Sequence, residues 1–349
     1  MGLQVNLPPP RRSKITPDSL EGSWAPISFS VATTKQGKYT LALVQHDHHL
    51  FPLLYIYEQP TSTGQPLPHG HRECGARTEN TWVKKISLSS SSPLRLFHLD
   101  CDGGPRGPET LRARAVIVST GADARRLGCK GEDKYWTKGV SACAVCDGSL
   151  PLFRNQPVAV VGGGDSAMEE ALHLANHARR VFVIHRRDEL RASRVLQDRV
   201  LSHPKIELVW SAVVDEVLGD EKTGLVNRLR LKSTRKEGEK QQQQQQQPWE
   251  LSVAGMFVAV GHRPNTGFLV DSGGDIAQVV DQATGYMRVL PGTTKTTVEG
   301  LYGAGDVADS RYRQAVTAAG LGCMAALDAE KYLQESGDRQ PSVEPTARL

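Results

Sequence analysis

The run Val160-Val161-Gly162-Gly163-Gly164-Asp165-Ser166-Ala167 constrains this chain more than any other stretch. Residues 157–161 form an apolar run that leads straight into three glycines. Residues 166–177 then place Met168, Ala171, Leu172 and Ala175 at helical spacing, and residues 181–184 read as the next strand. Strand, glycine loop, helix and strand in that order predict a parallel, doubly wound α/β sheet. In the pattern G-x-G-x-x-A, Gly162 permits the tight turn and Gly164 lets the backbone approach a pyrophosphate. Ala167 lets helix and strand pack closely, and the helix N-terminus faces the anion.

The end of the second strand sorts the dinucleotide. An NAD site places an acid ~20 residues after the loop, to hold the ribose 2′-hydroxyl. Here His185-Arg186-Arg187 stands in that place, with Arg191 one helical turn on. Guanidinium forks grip phosphate oxygens bidentately, so the reading is NADPH. Its candidate contacts are Gly162, Gly163, Gly164, Asp165, Ser166, Ala167, His185, Arg186, Arg187 and Arg191.

Cys143-Ala144-Val145-Cys146-Asp147 carries the second chemistry. Two thiols at C-x-x-C spacing can close a short reversible disulfide, and the adjoining carboxylate can donate or accept a proton. The alternative is half of a zinc site. The chain has no second C-x-x-C, because Cys74, Cys101, Cys129 and Cys323 are scattered singles. His46, His48, His49, His69, His71 and Cys74 gather in one stretch, but their spacings match no metal site. No metal is expected.

Elsewhere the pattern is coarser. Residues 39–44, 50–57, 116–118, 225–231, 249–253, 256–260 and 301–302 read as strands, and 314–333 as a helix. Residues 241–247 are all Gln, a tract with nothing to bury that reads as a surface insertion. The 42 Lys and Arg are offset by 38 acids, so the charge of +4 gives no nucleic-acid signal. No apolar run approaches the ~18 residues of a bilayer span. Asp18 and Glu21 spoil a transit-peptide pattern near the start.

Taken together, Ser141-Ala142-Cys143-Ala144-Val145-Cys146-Asp147-Gly148, the glycine run and His185-Arg186-Arg187-Asp188 resemble the small two-domain NADPH-dependent thioredoxin reductases. So do Gly261-His262-Arg263-Pro264-Asn265-Thr266, Gly303-Ala304-Gly305-Asp306-Val307 and Tyr312-Arg313-Gln314-Ala315-Val316-Thr317-Ala318-Ala319-Gly320. The likeness covers about residues 112–334 and leans to the plant, algal and cyanobacterial branch. It implies a pyridine nucleotide-disulfide oxidoreductase fold, α/β, with an NADPH domain inserted in an FAD domain. The division it implies is 1–95 poorly patterned, 96–135 and 257–335 FAD-type, 136–256 NADPH-binding with the redox cysteines, and 336–349 a tail. Electrons would pass from NADPH through FAD to Cys143–Cys146, and on to a thioredoxin-like protein. Cys146 would lie next to the flavin, Cys143 would attack the partner disulfide, and Asp147 would serve as acid and base. Asp306 would hold the ribityl chain beside Gly305, and Arg313, Gln314 and Ala315 would meet the flavin ring, with Thr120 and Gly121 nearby. The resemblance also implies a homodimer, in cytoplasm or plastid stroma.

One departure stands out. The family opens with its own G-x-G-x-x-G for the FAD diphosphate, and residues 1–110 contain none. Residues 101–107 are glycine-rich, but no clean apolar strand leads into them. The FAD domain is therefore expected to be incomplete and its FAD occupancy reduced. Two other readings stay open. One is a truncated NADPH-binding module. The other is a peroxiredoxin-linked flavoprotein reductase, whose extra N-terminal cysteine pair is not supplied by Cys74 and Cys101.

Overall fold

The computed structural model describes residues 41–47, 51–57, 76–79, 82–89, 96–102, 108–235 and 247–337. Of the histidine group only His46 falls on a described strand. His48, His49, His69, His71, Cys74, the Gln tract up to residue 246, and residues 103–107 lie outside the described residues. The chain divides into two compact units. One comprises Met1–Ser119, Val289–Gly305 and Gln314–Leu349, and the other Thr120–Arg288 and Asp306–Arg313.

The glycine run organises the second unit. Pro157–Val161 pairs in parallel with Arg180–Ile184 on one side and Gly255–Val258 on the other. Ile206–Val209 and Val140–Ser141 extend the sheet at its two edges, so all five strands are parallel. Side chains alternate across a strand. Val158 and Val160 therefore face the helix Asp165–Ala175, meeting Ala167, Met168, Ala171 and Leu174, each 0% exposed. Ala159 and Val161 face the other way, into a core with Leu229, Leu231 and Met256. That second core is roofed by an antiparallel sheet of Ala212–Gly219, Val226–Ser233 and Trp249–Ser252. Truncating a side chain as enclosed as Leu174 to Ala costs about 2–5 kcal/mol.

The expected divisions at 135/136 and 256/257 fall inside this unit. Lys130 exchanges backbone hydrogen bonds with the antiparallel sheet (Val217 N–H to Lys130 O, 2.8 Å; Lys130 N–H to Asp215 O, 3.3 Å), and His262–Pro264 pairs with Ala122–Ala124. These bonds tie the flanking segments to the dinucleotide-binding part.

In the first unit, Leu301–Gly303, Ala115–Ser119 and Leu41–Asp47 lie parallel in that order, followed by the antiparallel strands Phe51–Tyr57 and Ala76–Glu79. The helix Ala315–Gly337 lays Ala325, Ala329 and Leu333 on Ala115, Ile117, Tyr302 and Ala304. Trp82–Leu88, Phe97–Asp102 and Glu109–Ala113 form a separate three-stranded meander.

One expectation needs correction here. Besides the strands expected near 39–44 and 50–57, the poorly patterned stretch to residue 95 supplies the strand Trp82–Leu88. A register shift between Val83 and Lys85 breaks the alternation that would have marked this strand. A strand also leads into residues 101–107: Phe97, Leu99 and Cys101 point inward and are at most 4% exposed, alternating with His98, Asp100 and Asp102. With only every second residue apolar, it does not read as a buried parallel strand.

Candidate active site

Cys143 and Cys146 are joined in a disulfide, with their Cα atoms 5.3 Å apart. Cys143 is the N-cap of the one-turn helix Ala144–Asp147, and its Sγ accepts the Cys146 N–H at 3.1 Å. Ala144 anchors the turn by its burial, while Val145 and Cys146 are exposed. Asp147 does not stand alone. The Ser141 hydroxyl donates to Asp147 Oδ2 at 2.6 Å and accepts the Cys143 N–H at 3.0 Å, so one serine links the carboxylate to the backbone of the cysteine pair. Sequence patterning gives Ser141 no role; nothing about its spacing announces one. The single cysteines differ in kind: burial pushes the Cys129 thiol up to about 11, and Cys101 is buried against Leu99 O.

At the glycine loop, each residue has its own constraint. A Cβ on Gly162 would fall 2.5 Å from Ala259 O and 2.7 Å from Ala167 Cβ, so strand, loop and helix close on one another there. A Cβ on Gly163 would fall 2.2 Å from the His185 ring. A Cβ on Gly164, the helix N-cap, would meet nothing within 4 Å, so the loop is open on that side to an approaching group. Asp165 and Ser166 are exposed at the first turn, and Ala167 is fully buried. His185 is only 5% exposed. Its burial, with the charges of Arg187, Arg191 and Arg186, holds its pKa below the ordinary histidine value, against a hydrogen bond to the Glu189 backbone. Its Nε2 has no partner. Arg186, Arg187 and Arg191 are all exposed beside it.

Thr120 and Gly121 are fixed by Asn265. The Thr120 hydroxyl donates to Asn265 O (2.7 Å), Asn265 Nδ2 donates to Thr120 O (3.0 Å), and the Asn265 N–H donates to Gly121 O (3.0 Å). Gly121 has φ +70°, with open space where a side chain would be. Asp306 follows Gly305, whose φ of +74° also favours glycine. Asp306 Oδ1 is buried without a hydrogen-bond partner. Burial, then the charge of Asp309, pushes this carboxyl up to about 6 against the pull of Arg313. Asp309 gathers the segment after it, accepting the N–H groups of Arg311, Tyr312 and Arg313, each at 2.9 Å. Arg313 takes φ +48°, an uncommon conformation for a side chain of its size, and donates to the Tyr286 hydroxyl at 3.4 Å. Gln314 and Ala315 open the long helix, where the Thr317 hydroxyl accepts the Gln314 N–H at 3.2 Å. Among the described residues no group of three or more His, Cys, Asp and Glu could hold a metal ion, and no helix is long and apolar enough to cross a membrane.

Comparison with known proteins places this geometry. Residues 82–322 match the family described as pyridine nucleotide-disulphide oxidoreductase. Thioredoxin reductase 1 of Saccharomyces cerevisiae is 46% identical over 254 residues, covering 72% of each chain. The chain belongs to the thioredoxin reductase family.

Within that family, thioredoxin reductase 2 of Arabidopsis thaliana is 46% identical over 262 residues, which is 74% of this chain and 62% of the plant protein. Among solved structures, a thioredoxin reductase from Giardia duodenalis matches with TM-score 0.59 and 39% identity, over 73% of this chain and 74% of that one. The thioredoxin reductase from Streptococcus pyogenes matches with TM-score 0.61 and 33% identity over the same shares. The fold is that of a pyridine nucleotide-disulfide oxidoreductase. The chain spans just under two thirds of the length of the two Arabidopsis relatives. Every candidate residue lies inside the matched stretch 82–322.

Proposed function

We propose that the chain is an NADPH-dependent disulfide reductase whose Cys143–Cys146 pair reduces a thioredoxin-like protein. The observation that carries this reading is the disulfide itself, capped by a backbone N–H and tied through Ser141 to Asp147. A sulfur that accepts an N–H at a helix cap is stabilised as thiolate. Once the pair is reduced, Cys143 is thus the nucleophile that attacks a partner disulfide, and Cys146 displaces the reduced partner from the mixed disulfide. Asp147 moves the proton on or off the pair, its carboxylate aimed by Ser141.

The glycine loop fits NADPH. Gly164 leaves backbone open for the pyrophosphate, and Arg186, Arg187 and Arg191 offer exposed guanidinium groups for the 2′-phosphate. His185 contributes as a neutral ring under Gly163 that shapes the loop. The residues also fit the ring and ribityl side of FAD: the unpartnered Asp306 Oδ1 is an acceptor for a hydroxyl group, with Thr120, Gly121 and Arg313 of the same unit as further contacts. FAD bound there would supply the two-electron chemistry that links NADPH to the disulfide.

A specific observation favours a second reading, a catalytically impaired NADPH-binding module. The strand Leu41–Asp47, parallel to Ala115–Ser119, is followed after only residues 48–50 by the antiparallel strand Phe51–Tyr57. A glycine loop and helix need a dozen or more residues, so this strand does not lead into a second diphosphate cradle. The first reading therefore expects FAD held through its ring and ribityl side, and lost readily on dilution. A homodimer is the assembly that this reading carries with it. Identities to plant and fungal relatives are alike, at 45–51%, so the plant-type reading rests on the sequence motifs. The test is NADPH consumption in the presence of thioredoxin disulfide and added FAD. Turnover lost in both Cys143→Ser and Cys146→Ser supports the reductase, and NADPH binding without turnover supports the module.

A further inference from the structure

We infer that Asp165 is a positioning residue for the 2′-phosphate end of NADPH, acting through the arginine-bearing loop 186–193 rather than on the cofactor. The inference rests on the reading of this loop as an NADPH site. Asp165 is the first residue of the helix whose N-terminus would receive the pyrophosphate, and a free carboxylate there would repel that anion. Its charge is engaged elsewhere. The Ser193 N–H donates to Asp165 Oδ1 at 2.7 Å, across 28 residues of sequence.

Ser193 explains why this bond forms. It is the N-cap of the helix Arg194–Leu201, yet its side chain makes no cap hydrogen bond. Three residues on, where a capping box would place Glu or Gln to reach the N-cap N–H, stands Leu196. Asp165 supplies from another helix the carboxylate that the local sequence lacks. The same loop is tied to the glycine run by Gly163 O, which accepts the N–H groups of Arg191 (2.7 Å) and Ala192 (3.2 Å). Gln197 Nε2 donates to Ala192 O at 2.8 Å from the far side. At the other end, Arg186 O accepts the Thr234 hydroxyl (2.7 Å) and Arg187 O accepts the Ser211 N–H (3.1 Å). The turn that faces the pyrophosphate and the loop that carries the arginines are thus one braced unit, with Asp165 as its side-chain strut. Loosening the strut lets Arg191 drift from the 2′-phosphate and leaves the pyrophosphate contacts in place.

The test is a fluorescence titration of the full chain with NADPH, NADH and 2′,5′-ADP. Asp165→Ala removes the acceptor. Ser193→Pro removes the donor at a residue whose φ of −58° already suits proline, and leaves Asp165 intact. Each is expected to lower the preference for NADPH over NADH about tenfold and to weaken 2′,5′-ADP to a similar degree. The double variant should be no worse than either single one, because both break the same bond. Asp165→Asn, which keeps an acceptor oxygen, should retain most of the preference. An unchanged NADPH preference in both single variants would overturn the inference, as would an equal loss of NADH and NADPH affinity. A wild-type chain that binds 2′,5′-ADP no better than 5′-AMP would instead overturn the underlying NADPH reading, and the inference with it.

Discussion

His185 lies across Gly163 so closely that any side chain at 163 would enter its ring: a Cβ would sit 2.2 Å from Cε1 and 2.3 Å from Nδ1. The middle glycine of the loop, the least constrained in the sequence pattern, is therefore fixed by a residue 22 positions on (185 minus 163). Gly163→Ala is expected to destabilise the chain by about 1–3 kcal/mol, as overpacking does, and to weaken NADPH binding. Adding His185→Ala makes room, so the double variant should melt higher than Gly163→Ala alone. Thermal melts of the three variants check this, and strictly additive losses would contradict it.

The two cysteines should separate by role. Cys146→Ser leaves Cys143 able to attack but nothing to release the product, so a mixed disulfide with thioredoxin should accumulate. Cys143→Ser should trap none. Non-reducing electrophoresis reads the difference, and trapping by Cys143→Ser alone would reverse the assignment.

Ser141 acts on the pair only through geometry. Ser141→Ala removes the bond to Asp147 and the acceptor for the Cys143 N–H, and is expected to slow thioredoxin reduction about fivefold while leaving NADPH affinity unchanged. Parallel measurement of kcat and NADPH binding checks this.

Much of this was legible in the sequence and some was not, for a physical reason. The strand–loop–helix unit, the C-x-x-C and the arginine cluster are local, each written in contiguous residues whose spacing carries the chemistry. Pro157–Val161 matches its expected range, and the helix Asp165–Ala175 and strand Arg180–Ile184 fall within two residues of theirs. What could not be read are contacts between residues far apart in the chain. Asp165 reads as one more polar residue of a glycine motif until Ser193 is seen beside it, and Asn265 reads as a motif letter until its three bonds to Thr120 and Gly121 are seen. The meander Trp82–Leu88, Phe97–Asp102, Glu109–Ala113 escaped because a register shift and alternating polar residues thin its apolar signal.

Glu170 gives the fold a pH dependence. Its Oε2 is buried with no hydrogen-bond partner, and burial, reinforced by Glu169 and opposed by Arg313, pushes its pKa from an ordinary 4.5 up to about 7. The folded state therefore holds this proton to a higher pH than the unfolded chain does. Stability falls as pH rises from about 4.5 to 7, and the loss is complete above that window. Glu170→Gln should flatten this slope and raise stability by up to roughly 2–3 kcal/mol above pH 7. Melting temperature against pH for both proteins checks it, and parallel curves would contradict it.

Asp306, whose Oδ1 is buried without a hydrogen-bond partner, marks where flavin should be felt first. Asp306→Ala is expected to weaken FAD binding about tenfold in a flavin-fluorescence titration, while Asp306→Asn, which keeps an acceptor, loses less. Equal affinities in all three proteins would remove Asp306 from the flavin site.

The most direct test of the reductase reading is to count trapped thiols on Cys143 and Cys146. The oxidised chain would be incubated anaerobically with FAD and either NADPH or NADH, alkylated, and weighed by mass spectrometry. NADPH with FAD is expected to open the disulfide and label both cysteines, while NADH at the same concentration labels few. A disulfide that stays closed in a chain shown to bind NADPH would contradict that reading, and would leave a nucleotide-binding module in place of a reductase.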